Sequence, residues 1–152
     1  MAFIHIFNDN LNHYFDKLNE NTPAKWGRMQ AQHMIEHLGW TFPACTGKVE
    51  VPVFTLPEKL PARLAFLRGE DHFPQNFRSV ILGDDLPVLK FSSIGEAKQK
   101  LLKRIEEFRI YAKENPDAKH NHPVFGKIGM EDWLRFQNKH FTHHFNQFGL
   151  MD

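Results

Sequence analysis

Histidines dominate the chemistry that this sequence offers, and three of them fall within HFTHHFNQ, residues 140–147. The apolar spacing around this segment predicts a helix. At about 100° per residue, His140 and His144 lie about 40° apart in the middle of its apolar stripe, whereas His143 lies at the edge. Two imidazoles four residues apart on the buried face of a helix can bind one metal ion together.

A third ligand must come from a facing helix, and the segment HMIEH at residues 33–37 offers two histidines. The apolar arc of that helix lies about 40° closer to His37 than to His33. His37, His140 and His144 are therefore the candidate metal ligands. The alternative for each is a core histidine whose ring hydrogen-bonds a backbone carbonyl, because a buried imidazole without any partner is costly.

Three neutral imidazoles leave at least one coordination position open, which is typical of a catalytic rather than a structural metal centre. Zinc, nickel and iron all accept three nitrogen ligands, so the ligand type does not choose among them. An open divalent ion can lower the pKa of a bound water for hydrolysis, or can bind and activate a thiolate. Glu36 is a poor candidate for a general base, because it points about 100° away from its neighbour His37 on the helical wheel.

Other polar residues have two interpretations each. Gln137 and Gln147 can hydrogen-bond a ligand or an imidazole, or can pack between helices. His122 belongs to the segment HPVFG, which we interpret as a structural turn in which Gly126 supplies the necessary freedom. Cys45, the only cysteine, is expected to be a small buried side chain rather than a reactive thiol.

Four amphipathic helices are predicted to position these residues. The first runs from residues 8–10 to 21–23, the second from 27 to 45–47, the third from 93 to 115 and the fourth from 130 to 148. Prolines and glycines in residues 48–93 predict a long, partly irregular connection between the second and third helices. A short helix is expected within residues 57–67. No hairpin signal is convincing, so the expected fold class is all-α, a four-helix bundle.

Composition sets the broad class of protein. The 152 residues fit a single domain, and 41% hydrophobic with 24% charged residues is ordinary for a globular chain. No apolar run is long enough to cross a bilayer, and a net charge of +1 gives no sign of a nucleic-acid partner. A lone cysteine and the lack of a signal-peptide pattern favour the cytoplasm. Ten histidines is an unusual number, and it is what makes a metal site worth testing.

Two segments, KWGRMQAQHMIEHL at residues 25–38 and HPVFGKIGMEDWLRFQNKHFTHHFNQFGL at residues 122–150, resemble the DinB/YfiT-like superfamily of metal-dependent proteins. The match is closest to a small bacterial branch of that superfamily. The resemblance implies an up-down-down-up four-helix bundle and frequent homodimers. It also implies a divalent metal held by His37, His140 and His144. Several relatives are similar to S-transferases or isomerases that use a low-molecular-weight thiol.

The leading hypothesis is therefore a metal-dependent transferase or hydrolase that acts on a small electrophilic substrate, with or without a thiol as cosubstrate. The alternative is a non-catalytic dimeric bundle that binds a metal or a small ligand in a stress response. A third hypothesis is a plain interaction module with satisfied core histidines. The substrate, the native metal and the dimer interface are not specified by the sequence.

Overall fold

The computed structural model describes residues 2–75 and 86–152. The elements follow in chain order: α1 Leu11–Phe15, α2 Ala31–Gly39, α3 Phe42–Cys45, a 3₁₀ turn Pro57–Lys59, α4 Leu60–Arg68, α5 Ile94–Glu114, β1 Lys119–His122, β2 Gly126–Gly129 and α6 Met130–Gln147. Among these described helices, none combines the length and the apolar character that a bilayer crossing requires.

The expectation of an all-α, up-down-down-up four-helix bundle is wrong. Helices account for about 49% of the described residues, and the link between α5 and α6 forms an antiparallel hairpin of β1 and β2. The hairpin register pairs His122 with Gly126, which leaves a three-residue loop. Gly126 has a φ of +83°, the left-handed conformation that closes such loops. The strands escaped prediction because Lys119–His122 is polar throughout and lacks the alternation that marks a strand.

The predicted second helix is broken in two. Pro43 has no N–H to donate to the carbonyl of Gly39, so the hydrogen-bond ladder of a continuous helix cannot pass this point. Arg104 on α5 donates to that carbonyl instead, at 2.7 Å. The chain therefore turns between α2 and α3, and α2 keeps only residues up to Gly39.

The two long helices lie where the sequence predicted them. Ser93 caps α5, and its side chain accepts a hydrogen bond from the Glu96 N–H at 3.1 Å. The short helix expected within residues 57–67 is also present, as the 3₁₀ turn and α4. Part of the long connection, residues 76–85, lies outside the described residues.

Helix α6 lies at the centre of the fold. Thirteen of its eighteen residues are buried, including polar ones. Helix α4 is tied to it by a bidentate ion pair, in which Arg68 donates to Asp132 at 3.1 and 2.8 Å. Lys139, which is buried, donates to the backbone carbonyls of Gly69 and Asp71 just after α4. Polar residues of α6 thus fasten neighbouring elements to the core.

The N-terminal segment lies against α6. Ile4 and Ile6 alternate into the core, and both are buried. The N–H of Ile4 donates to Oγ1 of Thr142 at 2.8 Å, and the N–H of Ile6 donates to Oδ1 of Asn138 at 2.9 Å. Side chains of α6 therefore provide acceptors for two backbone N–H groups of this segment.

Replacing Thr142 tests this attachment. Thr142→Val keeps the shape but leaves the buried Ile4 N–H without an acceptor, so we expect a loss of about 1–3 kcal/mol in the free energy of unfolding. Thr142→Ser keeps the oxygen and loses one buried methyl group, worth about 0.8 kcal/mol. Hydrogen exchange at the Ile4 amide should accelerate in the valine variant alone. Unchanged exchange in that variant would contradict the attachment.

Candidate metal centre

The structure brings His37, His140 and His144 together between α2 and α6. The ring centroids of every pair lie 4.8 Å apart, and the ring planes cross at 73–76°. One ring nitrogen from each residue lies within 4.8 Å of the other two. The closest approach, 3.0 Å, joins Nε2 of His37 to Nε2 of His140. Three imidazoles thus converge on one point with their edges rather than stacking face to face.

The orientation of α2, which carries His37, is fixed by contacts of Glu36 on another side of the helix. Glu36 is 8% exposed, and its carboxylate accepts hydrogen bonds from the backbone N–H groups of Lys90 at 2.7 Å and Phe91 at 3.2 Å. Gln32 donates to the same carboxylate at 3.0 Å. The carboxylate of Glu36 is therefore committed to a structural contact on another side of the helix, which agrees with its dismissal as a base.

Burial keeps all three imidazoles neutral. It lowers the pKa of His37 to about 4, with a smaller contribution from His143. It lowers the pKa of His140 and His144 well below the ordinary value, and the neighbouring histidines add to this effect. Within the described residues, no carboxylate acts against these shifts. Each ring therefore has a lone pair available at neutral pH.

The second nitrogens of the three rings differ in their surroundings. Nδ1 of His144 lies 2.7 Å from Oε1 of Gln147. Nδ1 of His37 and Nδ1 of His140 are buried and have no hydrogen-bond partner in residues 2–75 and 86–152. A single N–H···N bond between His37 and His140 would satisfy only part of this set. Three neutral nitrogen donors around one point are the donor set that zinc, nickel or iron accepts, so the residues fit a divalent ion.

Aromatic side chains and a fourth histidine line the cluster. Phe136 stacks on His140 with centroids 4.9 Å apart. His143 was expected at the edge of the buried stripe, but it is only 8% exposed, and its ring lies 4.9 Å from that of His144. His143 hydrogen-bonds the backbone of Phe73 and packs against Trp26. His143 therefore lines the histidine cluster together with Phe136.

His122 packs against Phe136 beside the histidine cluster and also accepts hydrogen bonds from the hairpin loop. Its Nδ1 accepts hydrogen bonds from the N–H groups of Val124 at 3.0 Å and Phe125 at 3.3 Å, as an asparagine oxygen does in a turn. Its ring lies 4.3 Å from that of Phe136. Burial lowers the pKa of His122 to about 3. This geometry agrees with the interpretation of HPVFG as a structural turn. The sequence did not indicate that His122 lies near the histidine cluster.

The other residues that the sequence singled out either lie apart from the cluster or pack between elements of the fold. Nε2 of His33 lies 3.1 Å from the carbonyl of Pro87, so His33 is not among the converging rings. Gln137 is fully buried and donates to Oγ1 of Thr41 at 2.7 Å, which joins α6 to the α2–α3 turn. Cys45 is fully buried, and burial raises the pKa of its thiol, which makes it unreactive.

Comparisons of the chain with protein-family models, with curated proteins and with solved structures find no match. The resemblance to DinB-like proteins therefore stays a prediction. The function must be argued from the geometry of the three histidines and their surroundings.

The buried His122 should make the protein sensitive to acid. Its folded pKa of about 3 lies below the ordinary value of 6.5, so the unfolded chain binds more protons between these values. Stability is then complete above pH 6.5 and falls as the pH decreases. From pH 7 to pH 5 this group alone costs about 2 kcal/mol of the free energy of unfolding. Urea unfolding of the chelator-treated protein at both pH values measures the total loss, to which the other histidines with lowered pKa values also contribute.

Two substitutions isolate the contribution of His122. His122→Asn keeps an acceptor for the loop N–H groups, whereas His122→Phe removes it, so the asparagine variant should be the more stable at pH 7. Both variants lack the titrating ring, and both should lose about 2 kcal/mol less than the parent between pH 7 and pH 5. An acid loss as large as that of the parent in both variants would show that His122 is not the group responsible.

Proposed function

We propose that this chain binds one divalent metal ion through His37, His140 and His144 and uses it as a metal-dependent enzyme on a small electrophilic substrate. The observation that supports this most strongly is the convergence of three neutral imidazoles, two of them buried and that of His37 half-buried, with every pair of rings 4.8 Å apart. The resemblance to DinB-like proteins selects the same three residues independently.

Metal binding accounts for the cluster better than core packing does. A structural core histidine hydrogen-bonds a backbone carbonyl or another fixed group, because burial of an unpaired polar atom costs about 1–3 kcal/mol. In the described part of the chain, Nδ1 of His37 and of His140 has no such partner. A third buried imidazole next to them adds to the cost. Such an arrangement is expected where function, rather than stability, places the residues.

The ligand set also suggests the class of chemistry. Three protein ligands leave a coordination position for a further group, as in catalytic centres. A divalent ion held there would act as a Lewis acid and lower the pKa of a water or thiol that it binds. The chain itself supplies aromatic surface near the cluster, since Phe136 stacks on His140 and Phe73 packs edge-on against the neighbouring His143. Within the described residues, no carboxylate lies in the cluster to serve as a base.

Neutral ligands favour an anionic cosubstrate. Because all three imidazoles are uncharged, nothing in the described part of the cluster offsets the positive charge of a divalent ion. A thiolate is an anionic ligand that zinc, nickel and iron all accept. A metal-bound hydroxide would supply an anion equally well. We favour an S-transferase that uses a low-molecular-weight thiol over a hydrolase because of the resemblance to DinB-like proteins.

Two broader expectations remain proposals. The only cysteine, Cys45, is a buried free thiol, which suits a reducing compartment such as the cytoplasm. A homodimer is proposed from the family resemblance alone. Sedimentation of the purified protein at several concentrations tests the dimer.

Metal titration tests the site itself. Protein purified without a histidine tag should bind one zinc, nickel or iron ion per chain. Free metal at a hundred times its dissociation constant should add about 2.7 kcal/mol to the free energy of unfolding. His140→Ala should lose stoichiometric binding, whereas His33→Ala, on the same helix as His37 but outside the cluster, should retain it. Binding of equal stoichiometry in both variants, or none in the parent, would overturn the site.

A spectroscopic experiment tests the thiol. Cobalt(II) replaces zinc at such sites and shows a sulfur-to-metal charge-transfer band when a thiolate binds. Adding a small thiol to the cobalt-loaded protein should produce this band. Cys45→Ala should leave the band unchanged, because Cys45 is buried at the α3 end. If no band appears with any of several thiols while cobalt is bound, the thiol cosubstrate is excluded and a hydrolase becomes the better hypothesis.

A further inference from the structure

Gln147, at the last position of α6, connects the histidine cluster to a distant turn. The side chain is 5% exposed. Its Oε1 lies 2.7 Å from Nδ1 of His144, and its Nε2 donates to the carbonyl of Trp26 at 3.0 Å. The amide thus bridges an imidazole of the cluster and the backbone of the segment that precedes α2.

The partners of this amide determine which way it points. The carbonyl of Trp26 can only accept a hydrogen bond, so the NH₂ group of Gln147 must face it. The amide oxygen then faces His144, and because that oxygen only accepts, Nδ1 of His144 must carry the proton of the neutral ring. Nε2 of His144 is left with its lone pair free, which is the state a metal ligand requires.

The turn before α2 holds Gln147 by two independent contacts. The backbone carbonyl of Gln147 accepts a hydrogen bond from the N–H of Lys25 at 2.7 Å, next to the side-chain bond to Trp26. Gly27 follows with a φ of +79°, and a Cβ there would lie 2.9 Å from Nε2 of Gln147. A glycine is therefore needed both for the backbone conformation and for the space that the amide occupies.

The other two rings have no equivalent support. Gln137 precedes His140 by three residues, as Gln147 follows His144 by three. Its amide is directed to Thr41 instead, and its Oε1 has no hydrogen-bond partner among the described residues. Of the three candidate ligands in the described part of the chain, His144 is therefore the one whose proton position is set by a side-chain amide.

We propose that Gln147 is a positioning residue that sets the proton of His144 on Nδ1, and that the turn at Trp26 and Gly27 sets Gln147 in turn. The consequence for metal affinity rests on the proposed function, whereas the proton position is a property of the metal-free protein. The segment before α2 thereby controls a ligand on α6.

Nitrogen NMR of the metal-free protein reads the proton position directly, since the two ring nitrogens of a neutral histidine differ strongly in chemical shift. In the parent, the proton of His144 should reside on Nδ1. Gln147→Leu removes the acceptor and should shift the proton toward Nε2. Gln147→Glu keeps an acceptor and should leave the proton on Nδ1, although the Trp26 carbonyl loses its donor.

Metal affinity gives a second readout on the same variants. Gln147→Leu should weaken zinc binding about 10–100-fold, the usual effect of losing the partner of a ligand imidazole. Gln147→Glu should rescue most of that affinity. Gly27→Ala should act like Gln147→Leu, because the new Cβ displaces the amide. Gly149→Ala is the matched control, since Gly149 also has a positive φ but its Cβ would approach Lys25 and Asp152 rather than Gln147.

The outcomes separate this inference from the proposed function. A proton on Nε2 of His144 in the parent, or a proton that stays on Nδ1 in Gln147→Leu, overturns the positioning role even if zinc binds tightly. If the parent binds no metal, the proposed function fails, and the NMR comparison still decides the role of Gln147. If Gly27→Ala and Gly149→Ala weakened zinc binding equally, the turn at Trp26 and Gly27 would contribute only to overall stability. The part of the proposal in which this turn positions Gln147 would then be wrong.

Discussion

A helix buried over most of its surface needs partners for its polar side chains, and α6 finds most of them in other elements of the fold. An unpaired buried polar group costs about 1–3 kcal/mol, while a domain of this size is stable by only about 5–15 kcal/mol. Each pairing is therefore consequential. The partners come from the N-terminal segment, the turn before α2, the α2–α3 turn, α4 and the loop after it.

The histidine cluster is the exception to this rule. Lys139, Thr142 and Asp132 all bond to fixed protein groups. His140 instead contacts only another neutral imidazole through Nε2, and its Nδ1 has no partner in the described residues. On α6, the described buried side-chain atoms without a partner are Nδ1 of His140 and Oε1 of Gln137, and of these two residues only His140 belongs to the group of converging imidazoles.

The sequence predicted the cluster better than it predicted the fold. Helical periodicity alone placed His140 and His144 on one face and preferred His37 over His33, because the direction of a side chain on a helix depends only on local spacing. The hairpin was missed because its stability comes from packing against the rest of the chain rather than from an alternating pattern. The role of Gln147 could not be predicted either, since its partner, the carbonyl of Trp26, lies 121 residues away and has no side-chain signature.

The attachment of the N-terminal segment has a consequence for biosynthesis. The N–H of Ile4 donates to Thr142, which lies 138 positions later in the chain. The ring of His37 likewise contacts His140, on a helix that is translated much later. A ribosome adding about 5–20 residues per second would need roughly 7 to 28 seconds to supply the missing partner of Ile4. During that interval the N–H groups of Ile4 and Ile6 lack the side-chain acceptors on α6 that they bond to in the folded protein.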